Sequence, residues 1–186
     1  MRKSEARIRA HITACLIAGI CFSASAFGAI VYSGPVNIVV PNNLDGIYFN
    51  VVTGVAGSTS GSATGWDINI YSSSDGKFTL WGPTAQTWLS PSGVIAGPYP
   101  LSGGTSISSP DTNFYRPGAS LDAGPQLNVN SDENLLGFRF LNESGGATHY
   151  GWARFRIGST PATRSIIGYA WTSTPGTLIR AGDTDA

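Results

Sequence analysis

Charge is scarce in this chain: 11 Lys and Arg stand against 11 Asp and Glu, together 12% of 186 residues, with no formal excess of either sign. A duplex nucleic-acid binder needs a cationic face to displace counterions from phosphate, so that class is set aside. Methionine occurs once and cysteine twice, and both cysteines, Cys15 and Cys21, lie within the first 29 residues. Helical bundles and coiled coils draw on a stock of Ala, Glu, Lys and Leu that this chain does not show. No run is long enough to cross a bilayer as a helix, which takes about 20 apolar residues. What the chain does have is 24 glycines, 11 prolines and 11% aromatic residues within a 41% hydrophobic total. Disordered chains carry more charge and fewer bulky side chains. The length suits a single folded domain.

Residues 1–29 have the layout of a cleaved secretory signal. Arg2, Lys3, Arg7 and Arg9 give a basic start, and Ile12 to Phe22 is an uncharged apolar run of 11 residues. Ala24-Ser25-Ala26 supplies a small-x-small cleavage pattern, and Ala26-Phe27-Gly28 a second. Cleavage is expected between Ala26 and Ala29. Removing residues 1–29 leaves 7 basic and 10 acidic side chains, net −3, one histidine (His149) and no cysteine. The exported domain, residues 30–186, therefore has no disulfide, thiol nucleophile or cysteine–zinc site. Its core alone must hold it, which a chain of about 150 residues can do.

Within this domain the dominant period is two, the signature of half-buried strands. Trp66-Asp67-Ile68-Asn69-Ile70-Tyr71 alternates, Lys77 to Trp81 puts Phe78 and Leu80 on one face, and Leu136 to Phe140 has a strongly apolar face. Tyr150 to Ile157 sets Tyr150, Trp152, Arg154 and Arg156 against Ala153, Phe155 and Ile157. Val36–Val40, Ile47–Val52, Ser165–Trp171 and Thr177–Ile179 complete the expected strands. Between them stand Asp45-Gly46, Asp75-Gly76, Ser92-Gly93, Ser102-Gly103-Gly104 and Ser144-Gly145-Gly146, where Gly supplies positive φ and Asp or Ser bonds the neighbouring backbone. Residues 90–131 hold six of the 11 prolines and read as long loops with short strands near Thr105–Ile107 and Phe114–Tyr115. No helix is expected. The pattern is that of an all-β fold, an antiparallel β-sandwich of jelly-roll-like character.

Several segments together carry a family resemblance: Gly46-Ile47-Tyr48-Phe49-Asn50-Val51-Val52-Thr53-Gly54, Gly65-Trp66-Asp67-Ile68-Asn69, Thr148-His149-Tyr150-Gly151-Trp152-Ala153-Arg154-Phe155 and Gly168-Tyr169-Ala170-Trp171. In this order the chain resembles bacterial secreted all-β proteins of the PEP-CTERM-associated type, many of which end in a Pro-Glu-Pro sorting tail. The resemblance implies export, and with no settled activity in the group it supplies no catalytic residue. In place of such a tail stands Asp183-Thr184-Asp185-Ala186. The expectation is a free protein, secreted, extracellular or on the outer cell surface, with the periplasm as the alternative.

The chemistry-bearing residues are few. A Ser-His-Asp hydrolase would have to use His149, since serine needs a base. The nearest thing to a nucleophile elbow, Gly57-Ser58-Thr59-Ser60-Gly61, has threonine at its centre. The bland role for His149 is a bond within the sheet. Glu133 and Glu143 flank one strand and fall at opposite ends of it, too far apart for the carboxyl pair of a glycosidase. Asp67 sits in a strand pattern where the plain expectation is a solvent-facing side chain. Asn43-Leu44-Asp45-Gly46 imitates part of a calcium loop, but Pro41 and Val52 would occupy essential ligand positions, so no metal and no cofactor are expected. Arg154 and Arg156 suggest that the Tyr150/Trp152 face is partly solvated, and aromatic faces can stack on sugars. The candidate ligand-binding residues are thus His149, Tyr150, Trp152, Arg154 and Asp67. The expected role is a non-catalytic structural or binding protein of the cell surface or extracellular matrix, with polysaccharide or other surface components as partners. A carbohydrate-binding sandwich using Trp152, Tyr150 and a further tryptophan is the alternative, and a hydrolase dependent on His149 or Asp67 the third.

Overall fold

The three longest strands grow from the C-terminal half, where alternation is cleanest. The structure, a computed structural model, describes residues 28–72, 77–83, 88–89, 99–108, 115–116, 119–121, 127–142 and 146–185. Among the described residues the chain forms fourteen strands and no helix: β1 (Ile30–Tyr32), β2 (Ile38–Val39), β3 (Ile47–Phe49), β4 (Ala56–Gly57), β5 (Ile68–Ser72), β6 (Phe78–Trp81), β7 (Trp88–Leu89), β8 (Ser106–Ile107), β9 (Tyr115–Arg116), β10 (Ala119–Leu121), β11 (Ser131–Leu141), β12 (Thr148–Ile157), β13 (Arg164–Thr172) and β14 (Ile179–Arg180). One antiparallel sheet runs β1-β13-β12-β11-β7-β9, with β2 also on β13; the second runs β10-β6-β5-β3-β4; β14 and β8 form a separate pair. The antiparallel sandwich expected from the sequence is what the chain builds. The strand order, with β11-β12-β13 a simple meander, does not establish a jelly-roll winding.

Several strands are shorter than their apolar runs, for local reasons. The Ile47–Val52 run ends as a strand at Phe49 because Asn50 turns the chain. Its carbonyl accepts from Gly54 N (2.9 Å) and its Oδ1 accepts from Thr53 N (2.8 Å), the side-chain competition with sheet bonding that makes Asn a turn residue. The turn that opens β3 depends on Gly46, whose φ is +59° and whose Cβ, if it had one, would stand 1.9 Å from the Ile70 carbonyl oxygen. In the proline-rich stretch, β8 and β9 fall where short strands were expected, and β10, which pairs with β6, is additional. Residues 90–98, 109–114, 117–118 and 122–126 of that stretch lie outside the described residues.

The core between the sheets joins Phe49, Ile68, Ile70, Phe78 and Leu80 to Leu136, Phe138, Phe140, Ala153, Phe155, Ile157, Ile166 and Trp171. Aromatic edges interlock across the layers, Phe78 on Phe155 at 5.1 Å and Phe49 on Tyr169 at 5.0 Å, the edge-to-face geometry that ring quadrupoles favour. Ile166 and Trp171 share this core although five positions separate them. A bulge accounts for it: β12 and β13 pair Arg154 with Gly168 but Phe155 with Ile166, leaving Ile167 extra and reversing the alternation.

The larger sheet is buried on its other face too. Leu89, Leu101, Ile107, Leu135, Tyr150, Trp152, Ala170, Ile179 and Ala181 form a second apolar cluster there. This corrects the expectation of a partly solvated Tyr150/Trp152 face: both side chains are covered, Tyr150 at 2% and Trp152 at 1% exposure. The cover is the β8–β14 pair and the segments around it.

Candidate binding cleft

The cover forms a strap held by backbone bonds. Leu101 N donates to Leu135 O (2.7 Å), Ala181 N to Thr105 O (2.8 Å) and Gly104 N to Ala181 O (2.9 Å). Trp152 fastens it from below, its indole Nε1 donating to the Asp183 carbonyl at 2.9 Å. Where the strap crosses β11 and β12 it leaves a cleft of about 480 Å³, lined by Ser102–Gly104, Ala181–Asp183, Leu101, Glu133, Leu135 and Arg154. That volume lies within the range of small-molecule sites, about 300–1,000 Å³. Leu135 and Arg154 are register partners on β11 and β12, so strand pairing fixes the apolar and cationic parts of the cleft side by side. Gly182 takes φ +90°, and a Cβ there would stand 3.7 Å from Leu135 Cδ1 and 4.0 Å from Arg154 Nη2. A glycine therefore lets the strap turn directly above the guanidinium.

Arg154 has no hydrogen-bond or ion-pair partner among the described residues, and its Nε is buried. Its neighbour two positions on differs. Arg156 grips Asp132 with both arms, Nε to Oδ1 at 2.8 Å and Nη2 to Oδ2 at 3.0 Å. That bond holds the Asp132 carboxyl below the usual aspartate range, and the charge of Arg154 adds to the effect. Glu133 is exposed and Asp183 half-buried, and neither forms an ion pair with Arg154. The cleft thus offers one unsatisfied bidentate donor, two acceptor-only carboxylates and an apolar patch.

The other candidate residues lie elsewhere and serve the fold. His149, 3% exposed, has its Nδ1 2.6 Å from the Thr172 carbonyl. A carbonyl can only accept, so Nδ1 carries the proton. The ring stacks on Phe140 at 5.5 Å and meets the edge of Trp171 at 5.4 Å. Asp67 is not solvent-facing as expected: it is 3% exposed, and its Oδ2 accepts from Val51 N at 2.8 Å. With Asn50, whose Nδ2 donates to the Thr64 and Gly65 carbonyls, it closes the loop between β3 and β5. The segments Gly46–Gly54 and Gly65–Asn69 meet in this clamp. Of the five sequence candidates, Arg154 alone lines the cleft, and Trp152 supports it from beneath. Glu133 was weighed only as half of a carboxyl pair with Glu143, which lies outside the described residues. Ser102–Gly104 read as a turn and Asp183 as part of the acidic ending. No signal in one sequence joins residues some eighty positions apart through a two-residue strand pair.

Tryptophan exposure is uneven. Trp88 and Trp171 are buried, Trp66 is half-buried edge-on to Tyr48, and Trp81 is 45% exposed. Among the described residues no group of His, Cys, Asp and Glu could hold a metal ion, and no helix is long and apolar enough to cross a membrane. No family model, curated protein or solved structure matches the chain. The chemistry of the cleft therefore has to speak for itself.

Proposed function

We propose that the protein is an exported, non-catalytic binding protein of the cell surface or extracellular matrix, and that it engages a polar group of its partner through the cleft over Arg154. The observation that carries this reading is a guanidinium that lines an open cleft and whose Nη groups have no hydrogen-bond or ion-pair partner among the described residues. A charged fork that reaches a cleft without a protein partner is free to take an anionic group, and charge-assisted bonds of that kind are the strong ones. Export is supported by the basic, apolar and small-residue order of the first 29 residues. A non-catalytic role is supported by the employment of the acid–base side chains: His149 and Asp67 are bound to backbone groups inside the sandwich.

One observation favours the hydrolase alternative. Glu133 and Asp183 line the same cleft, and paired carboxyls are the equipment of a glycosidase. Glu133 is exposed, however, and the nearest histidine chemistry, at His149, is bonded to the Thr172 carbonyl inside the sandwich and does not line the cleft. One experiment addresses both readings. The exported chain is mixed with the surface polysaccharide of the producing cell and sedimented, and the polymer length is followed over hours. Retention by the wild type, loss of retention in Arg154→Gln and an unchanged polymer length are expected. Equal retention of the variant would remove the cleft from the function, and shortening of the polymer would make the protein an enzyme.

A further inference from the structure

We propose that the cleft recognises a sugar acid, a hexuronate residue carried on an acidic polysaccharide. This rests on the binding reading above and names its ligand class. The argument starts from Arg154. A planar guanidinium fits a carboxylate through two parallel bonds, and the chain displays this geometry next door in the Arg156–Asp132 pair, at 2.8 and 3.0 Å. Arg154 keeps its Nε buried and presents the Nη1/Nη2 edge instead, a planar pair of donors with no such partner among the described residues. Its complement is a carboxylate from outside.

The second element is the pair Glu133 and Asp183. Carboxylates accept hydrogen bonds and donate none. A ligand that satisfies them must bring donors along with its anionic group. Both repel any anion, and inorganic sulfate has no donors with which to offset that repulsion. A hexuronate has one carboxylate and several hydroxyls on a rigid ring, which matches one fork and two acceptors. Leu101 and Leu135, both largely buried in the second cluster, close the floor of the cleft.

The third element is openness. Ser102–Gly104 and Gly182 bring backbone to the cleft with little side chain, and a Cβ at Gly103 or Gly104 would meet nothing within 4 Å. A free α-amino acid also pairs a carboxylate with donors, but a ligand that small is held by enclosure. An open cleft across a sheet suits one residue of a chain that continues on both sides.

The test titrates the exported protein with oligogalacturonate, with the same oligomer methyl-esterified, with cello-oligosaccharide, with glycine and with sulfate, by calorimetry and by amide shifts of Gly104 and Gly182. The acid oligomer is expected to bind and to move both amides. The methyl ester, which removes the charge without touching the protein, should bind about tenfold more weakly or worse, because a charge-assisted bidentate bond is lost. Arg154→Gln should weaken the acid oligomer by a similar factor, and Arg154→Lys by less. Glu133→Gln and Asp183→Asn should weaken it as well. Near-UV circular dichroism checks that each variant folds. Equal affinity for the neutral glucan, binding of glycine or sulfate at these amides, or tighter binding after Glu133→Gln would each overturn the assignment. If a neutral glycan binds and needs Arg154, the sugar acid falls and the binding reading stands. If nothing tested moves Gly104 or Gly182 and the surface polysaccharide is also ignored, both fall.

Discussion

Two arginines on adjacent strands have opposite fates, and the contrast shows what one residue can do in this fold. Arg164, at the start of β13, is 2% exposed and donates to the carbonyls of Pro41 (2.9 Å) and Pro161 (2.8 Å), with its guanidinium 5.4 Å from the Phe78 ring centre. Burial pushes its pKa down to about 10, which leaves it charged at neutral pH. It bolts the end of β2 to the turn before β13 and lies against the opposite sheet at Phe78. Arg164→Ala strands these carbonyls, and bonds to charged donors are worth about 1.5–3 kcal/mol each. A loss of about 3 kcal/mol in urea unfolding is therefore expected. Arg164→Lys should recover part of it, because an ammonium lacks the fork needed to serve carbonyls on two sides. None of this was legible in the sequence, where a lone cation ahead of a strand reads as a solvated residue. His149 was more legible, since a histidine opening a strand has a neighbouring strand's carbonyls within reach, and Thr172 supplies one.

At the scale of elements, the strands were read where side-chain period and strand period agree. Leu136, Phe138 and Phe140 on β11 and Ala153, Phe155 and Ile157 on β12 all enter the core as alternation requires. The Ser165–Trp171 strand is also where it was expected, as β13, but which of its side chains face the core is set by a backbone event. The extra residue Ile167 changes the parity of β13, and the adjacent Gly168 is its one trace in the sequence, since a glycine inside a strand often marks a bulge. The strap is a different case: β8 and β14 lie at the expected Thr105–Ile107 and Thr177–Ile179 strands and Ser102-Gly103-Gly104 does turn, but two-residue strands carry no signal of what they pair with, so the face beneath looked wet. The dependence of the strap on Trp152 gives a direct check. Trp152→Phe keeps a ring in the second cluster but removes the donor to the Asp183 carbonyl. Amide exchange at Gly104 and Ala181, whose bonds knit the strap, should then speed up by about tenfold, as expected when a peripheral unit opens more easily than the whole. The β11–β12 amides should stay protected. Unchanged exchange at Gly104 would show that the strap is held by its apolar contacts alone.

For the whole molecule, no cysteine follows residue 29, so past that point the sandwich closes with backbone and core, starting from the residues just ahead of β1. The structure uses that beginning. Gly28 is buried, and a Cβ there would stand 2.8 Å from Thr174 Cβ. The Ala29 carbonyl accepts from Ser173 N at 2.9 Å and from Ser173 Oγ at 3.0 Å, and Ile30 then pairs with Thr172 as β1 begins. If, as we propose, a leader is removed between Ala26 and Ala29, cleavage after Ala26 leaves these groups in place. Cleavage after Ala29 removes the acceptor of both bonds and puts a charged amino terminus at Ile30, beside buried Thr172. The expected amino terminus of the exported protein is thus Phe27, read by intact-mass spectrometry and terminal sequencing, with no thiol to titrate. Its unfolding midpoint should be the same with and without reductant. A chain made to start at Ile30 should lose about 1 kcal/mol for each of the two bonds, seen as a lower urea midpoint with an unchanged slope. A native terminus at Ile30 with full stability would show that β1 needs nothing ahead of it. The contacts of Gly28 and Ala29 would then be incidental to how the sandwich closes.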